Sequence, residues 1–459
     1  MRSLLACLWL AWAGATAWAE PKIAYQQLEL PNGLRVFVIE DHHTPMVYEV
    51  MWFRVGSKDE VRHRTGFAHL FEHLMFKGST HLPDGLMDRL LEGAGGWSNA
   101  FTSSDMTVYQ NAASASFLET MLWIDADRLA GLTDTLDQAK LDNQREVVLN
   151  ERRQSYENEP YGQAELLIDA ALWPADHGYH WSTIGEVADV RAAALPDVAA
   201  FFQRYYVPNN ATMVVAGDVR FADVQRLVTR YFAWIPRGAA PVRPVYAPPA
   251  PLTAEVRIKA TDDVQVPRVY LAWRGPAGYT TAAQPALSLA ADVLGKGKIS
   301  RLYQRLVHDE AIAQDVEATY RSDELGGAFE ITATAKRGVD PERVIREISE
   351  EVARLAATPP APDELERAQR SNASAFLHHL EPLLWRAVQL ALYDVLAHDP
   401  AYLAKDLERF RRVTPAQIQE VVAAELRPTA RVVLTISPGK KPPASPQAPR
   451  TDVPMKESK

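Results

Sequence analysis

The chain is 459 residues long, 47% hydrophobic and 23% charged, which excludes extended disorder; at roughly 100–200 residues per domain it predicts two or three, each able to bury a core. A formal charge of −9 argues against general affinity for nucleic acid or anionic membranes. The single cysteine, Cys7, rules out a disulfide framework and a thiolate metal site.

Residues 1–19 read as a secretory signal peptide. Arg2 supplies the positive start, 4–15 is an apolar run too short to span a bilayer, and Ala17 and Ala19 place small residues before a cut at Glu20. No later stretch is long and apolar enough for a membrane helix. The expectation is an exported protein, and a mature chain without cysteine points to a bacterial periplasm.

A first block, 22–235, opens with strand signals at 34–41 and 47–53 and closes with another at 211–216. Between them, 65–78 has helical periodicity, with Thr65 as the expected N-cap and Gly78 as the expected C-cap. Phe67, Leu70, Phe71, Leu74 and Met75 form one apolar stripe. His69, Glu72 and His73 share another face, where histidines four apart can grip one ion. His-x-x-Glu-His is the inverted form of a known zinc-binding helix motif. On spacing alone, such histidines serve equally well as plain surface residues, and a catalytic zinc needs a third protein ligand. Glu146 and Glu151, on a charge-rich helical stretch at 143–153, both qualify, and the residues do not choose between them. Residues 97–109 read as a strand after a glycine-rich turn.

Six prolines between Pro236 and Pro251 predict a stiff extended linker, 236–251. The second block, 252–437, repeats the first in outline, with strand signals at 256–263 and 269–273 and a closing one at 430–436. Strands at both ends and helical patterns between predict an α+β domain used twice, two similar domains. The long pattern 362–398, broken at Pro382, reads as domain core. His42, His43, His177, His180, His378 and His379 read as surface or structural. The tail 438–459, rich in Pro, Lys and Ser, reads as disordered.

These residues resemble the pitrilysin/insulinase superfamily of zinc peptidases, which includes the mitochondrial processing peptidase. The matching runs are 55–60, 66–79, 95–102, 145–153, 209–218 and 300–302. The resemblance implies one zinc ion per chain on His69, His73 and Glu151, with Glu72 as general base. It implies mostly antiparallel sheets covered by helices, forming half of a clamshell, and a sheet edge at Asn99, Ala100 and Phe101 that pairs with an extended substrate. Gln144 stands where the family often carries a second glutamate, so that residue cannot tune the metal as a charged group. Relatives also carry an Arg and, seven residues on, a Tyr that stabilise the oxyanion; here those positions are Val307 and Gln314. Either Arg301, Tyr303, Arg305 or Tyr320 substitutes, or a related second subunit of a homo- or heterodimer supplies the pair. The implied function is an exported zinc endopeptidase acting on peptides or unfolded segments. The alternative is a non-catalytic or partner-dependent subunit, against which the intact motif argues.

Overall fold

The computed structural model describes residues 21–441. Among the described residues, eleven strands form two sheets. The first comprises β1 (Gln26–Glu29), β2 (Arg35–Glu40), β3 (Met46–Phe53), β4 (Trp97–Thr102), β5 (Thr107–Ser114) and β6 (Ala211–Gly217), in the order β1-β2-β6-β3-β5-β4. The second comprises β7 (Val256–Asp262), β8 (Arg268–Gly275), β9 (Ala313–Ser322), β10 (Gly327–Ala335) and β11 (Val432–Pro438), in the order β7-β11-β8-β10-β9. Without β1 the two orders are the same. In each, the opening strand pairs in parallel with the closing one, and every other pairing is antiparallel. The protein is therefore α+β, with two similar domains.

The central strands bury apolar residues on both faces because both faces of each sheet are covered. In β2, Val36 and Val38 enter one core while Phe37 and Ile39 enter another. In β8, Val269, Leu271 and Trp273 face one side, and Tyr270 and Ala272 the other.

One cover of each sheet comes from the opposite half of the chain. The outer face of the first sheet is closed by Ala387, Val388, Leu390 and Ala391 of the helix Leu383–Leu392. Asp394, just beyond that helix, accepts hydrogen bonds from Arg35 and Thr212, each at 2.8 Å. The corresponding face of the second sheet is closed by Ala164, Ile168 and Leu172 of the helix Ala164–Leu172, with Tyr161, Trp173 and Tyr179. The stretch expected to be a single domain's core at 362–398 is thus divided. Leu365 and Ala368 of the helix Pro362–His379 pack in the second domain, and past Pro382 the chain crosses to the first.

Between the sheets, 236–251 has no helix or strand, as six prolines dictate. It is pinned rather than free. Arg243 pairs with Asp59 at 2.6 Å, and the Tyr246 hydroxyl donates to the Lys58 carbonyl at 2.7 Å. No helix among the described residues is long and apolar enough to cross a membrane.

Candidate metal centre

The helix Phe67–Leu74 presents the motif, and its start differs from the sequence expectation. Its N-cap is Gly66, at φ 82°, a left-handed conformation that an L side chain adopts only with strain. Gly66 also packs against Gly185, where a Cβ would meet the Gly66 Cα at 2.3 Å. Thr65 instead donates its hydroxyl to Asp189 at 2.8 Å. Two N–H groups at the helix start are satisfied by Glu60, whose carboxyl accepts from Gly66 N at 2.9 Å and Ala68 N at 2.7 Å. Leu70, Phe71 and Leu74 anchor the far side of the helix in the core, so His69 and His73 face outward one turn apart.

Glu151 reaches this face from the last turn of the helix Gln138–Arg152, which Asp137 caps by accepting from Lys140 N. A π-helical stretch, Arg153–Asn158, follows at once, a distortion often found beside functional sites. His69 Nε2 lies 3.6 Å from Glu151 Oε1, and His73 Nε2 lies 3.3 Å from Glu151 Oε2. Three ligands at tetrahedral zinc, with bonds near 2.0–2.1 Å, stand about 3.4 Å apart. Each imidazole stands near that spacing from Glu151, and ligand atoms of the three residues all lie within 4.8 Å of one another, the cluster of metal-ligating residues found among the described residues. Glu146, the rival third ligand, is exposed on the same helix and outside the cluster.

The protonation states also suit a cation. Burial, aided by neighbouring His73, lowers His69 to about 4, keeping its imidazole neutral at physiological pH. The hydrogen bond to His73 holds Glu151 below the ordinary carboxylate range. Neutral imidazole and ionised carboxylate are the ligating forms. Glu72, on the same helix, is buried and raised by desolvation, an effect that a hydrogen bond from Thr102 partly offsets. Thr102 ends the matching run 95–102, but a threonine closing a strand carries no motif that would mark it as a partner of Glu72.

Of the other expected residues, Asn99, Ala100 and Phe101 lie on β4, an edge strand of the first sheet that among the described residues pairs with β5 alone. The single strand expected at 97–109 folds as a hairpin, turning at 103–106. Gln144 is buried and donates its amide to Asn143 at 2.7 Å. The four residues weighed as substitute donors sit in the second domain, and the two arginines are engaged there. Arg301 pairs with Glu364 and Glu351, and Arg305 with Glu310, Glu347, Glu350 and Glu351. Tyr303 and Tyr320 pack against that domain's core.

A His-x-x-Glu-His helix is thus joined by a distant glutamate on the first of two like α+β domains. Residues 35–177 match the family model described as Insulinase (Peptidase family M16), and residues 193–372 match the one described as Peptidase M16 inactive domain. The chain belongs to this pitrilysin/insulinase superfamily, and the motif and Glu151 both fall in the first match. It is similar to the zinc protease PqqE of Helicobacter pylori, 29% identical over 361 residues, 78% of this chain and 80% of that one. It is 27% identical over 273 residues to the mitochondrial-processing peptidase subunit beta of Blastocladiella emersonii, 59% of this chain and 56% of that one. Among solved structures, a protease from Helicobacter pylori superposes with a TM-score of 0.84 at 26% identity, covering 91% of this chain and 100% of that one. The first half of the periplasmic protease PqqL from Escherichia coli shares the fold, with a TM-score of 0.72 at 19% identity over 90% of this chain and 92% of that one.

Proposed function

We propose that this chain is the metal-bearing half of a two-subunit zinc endopeptidase that cleaves peptides or unfolded polypeptide segments. The observation carrying this reading is the convergence of His69, His73 and Glu151, whose ligand atoms lie within 4.8 Å of one another, with Glu72 on the helix that bears both histidines. These three residues would hold the ion and leave a fourth position open. Zinc, when bound, supplies Lewis acidity and makes a water molecule acidic enough to lose a proton near neutral pH. Glu72 takes that proton and returns it to the leaving amine. Strand β4, with Asn99, Ala100 and Phe101, offers its free edge to an extended chain, whose main-chain groups it would pair.

Oxyanion donors would come from a related subunit, since neither Val307 nor Gln314 donates as an arginine or tyrosine would, and Arg301 and Arg305 are already paired with carboxylates. Export rests on the leader at 1–19, which lies outside the described residues. The competing reading, a subunit that binds without turnover, draws on the match of 193–372 to a domain described as inactive.

Metal analysis and peptide-library digestion, on the chain alone and with a co-expressed partner, test the proposal. The chain alone is expected to bind one zinc and cleave poorly, and the assembled pair to cleave in a chelator-sensitive manner. Substoichiometric metal in the purified chain overturns the zinc reading, and full activity without a partner removes the two-subunit part.

A further inference from the structure

The carboxylate proposed as general base is held from one side by a hydroxyl outside the motif. Thr102 closes the edge strand β4, and its Oγ1 donates to Glu72 Oε2 at 2.5 Å. Directly across the ladder stands Thr107, the first residue of β5, whose Oγ1 lies 3.4 Å from that of Thr102. Thr107 is fully buried and gives its own proton to the Val55 carbonyl at 2.9 Å. Behind it the hydroxyls of Tyr206 and Tyr109, both buried, lie 3.0 Å apart. Each of these inner hydroxyls has a neighbour of its own, so the proton available to Glu72 is that of Thr102. A charged acceptor at short range outcompetes a neutral one at 3.4 Å for it.

We infer that Thr102 is a positioning residue: it pins Oε2 of Glu72 and leaves Oε1 as the atom that receives the proton from water. The inference rests on the reading of Glu72 as general base. It also ties the base to the proposed substrate seat, because the residue that orients the carboxylate belongs to the strand whose free edge would carry the peptide. A peptide paired along β4 is then set in register with the base by a shared rigid element.

Thr102→Val keeps the branched shape and the strand preference while deleting the donor, and Thr102→Ser keeps the donor. In the assembled peptidase, Thr102→Val is expected to lower kcat roughly tenfold with KM within about twofold, as loss of one hydrogen bond to a charged group predicts. Zinc content should be unchanged, and Thr102→Ser should recover most of the rate. Crystal structures of the chain alone provide a second readout: Glu72 should leave its place in Thr102→Val and keep it in Thr102→Ser. An unmoved Glu72 in Thr102→Val, or a serine variant as impaired as the valine one, overturns the inference. If the wild-type pair cleaves nothing, the peptidase reading has failed, and the crystallographic comparison still decides whether Thr102 holds Glu72.

Discussion

His69, Glu72 and His73 are legible in the sequence because a helix brings residues three and four apart onto one face. Glu151 is different, since a glutamate on a charge-rich helix looks like any other until the helix is placed beside the motif. Thr102 and Glu60 fall inside runs that carry the resemblance, yet no motif marks their roles: Thr102 acts across a contact thirty residues apart in sequence, and Glu60 through N–H groups six and eight residues on. Replacing Glu72 with Gln should leave zinc binding intact and reduce chelator-sensitive cleavage by a factor on the order of 10²–10⁴, measured as kcat on a fluorogenic peptide. Glu60→Ala removes the acceptor of the Gly66 and Ala68 N–H groups. It should cost about 1–3 kcal/mol of stability in urea unfolding and weaken metal retention, because the cap fixes the start of the helix that carries both imidazoles.

At the level of elements, strand positions follow from apolar runs and turn residues, whereas the helices' partners do not. An amphipathic pattern states that a helix has a buried face, not which sheet buries it. Leu390 is fully buried on the first domain's sheet although it lies in the second block. Leu390→Ala should cost about 2–5 kcal/mol, and the loss should register in both domains by hydrogen exchange. The helix Ala164–Leu172 carries an ionic counterpart. Asp169 is buried against the second sheet, and desolvation, opposed by Arg321 and reinforced by Glu165, Glu330 and Asp323, raises it to about 7. An unfolded-chain aspartate titrates near 3.9, so between these values the folded protein holds a proton that the unfolded chain has lost. Its stabilising contribution is therefore complete below about pH 4 and is lost as the pH rises through about 7. Thermal unfolding at about pH 5.5 and 8.5 should show wild type losing more stability on alkalinisation than Asp169→Asn.

For the whole molecule, the repeat is legible in matching strand signals at 34–53 and 256–273, and the shared sheet order gives that likeness its structural form. What the sequence conceals is that neither half is complete, since a sheet face in each is closed by a helix from the other. Unfolding should accordingly be a single cooperative transition in calorimetry, with no intermediate in which one domain persists. Expressing 20–240 alone should yield aggregating material, because Phe37, Ile39, Val50 and Trp52 would lose their cover. Supplying 241–459 in the same cell should restore a soluble pair. The peptide bond joining the halves is thus topologically dispensable: a protease nick within 236–251 would go unnoticed on a sizing column, and the two fragments would part company only in denaturant.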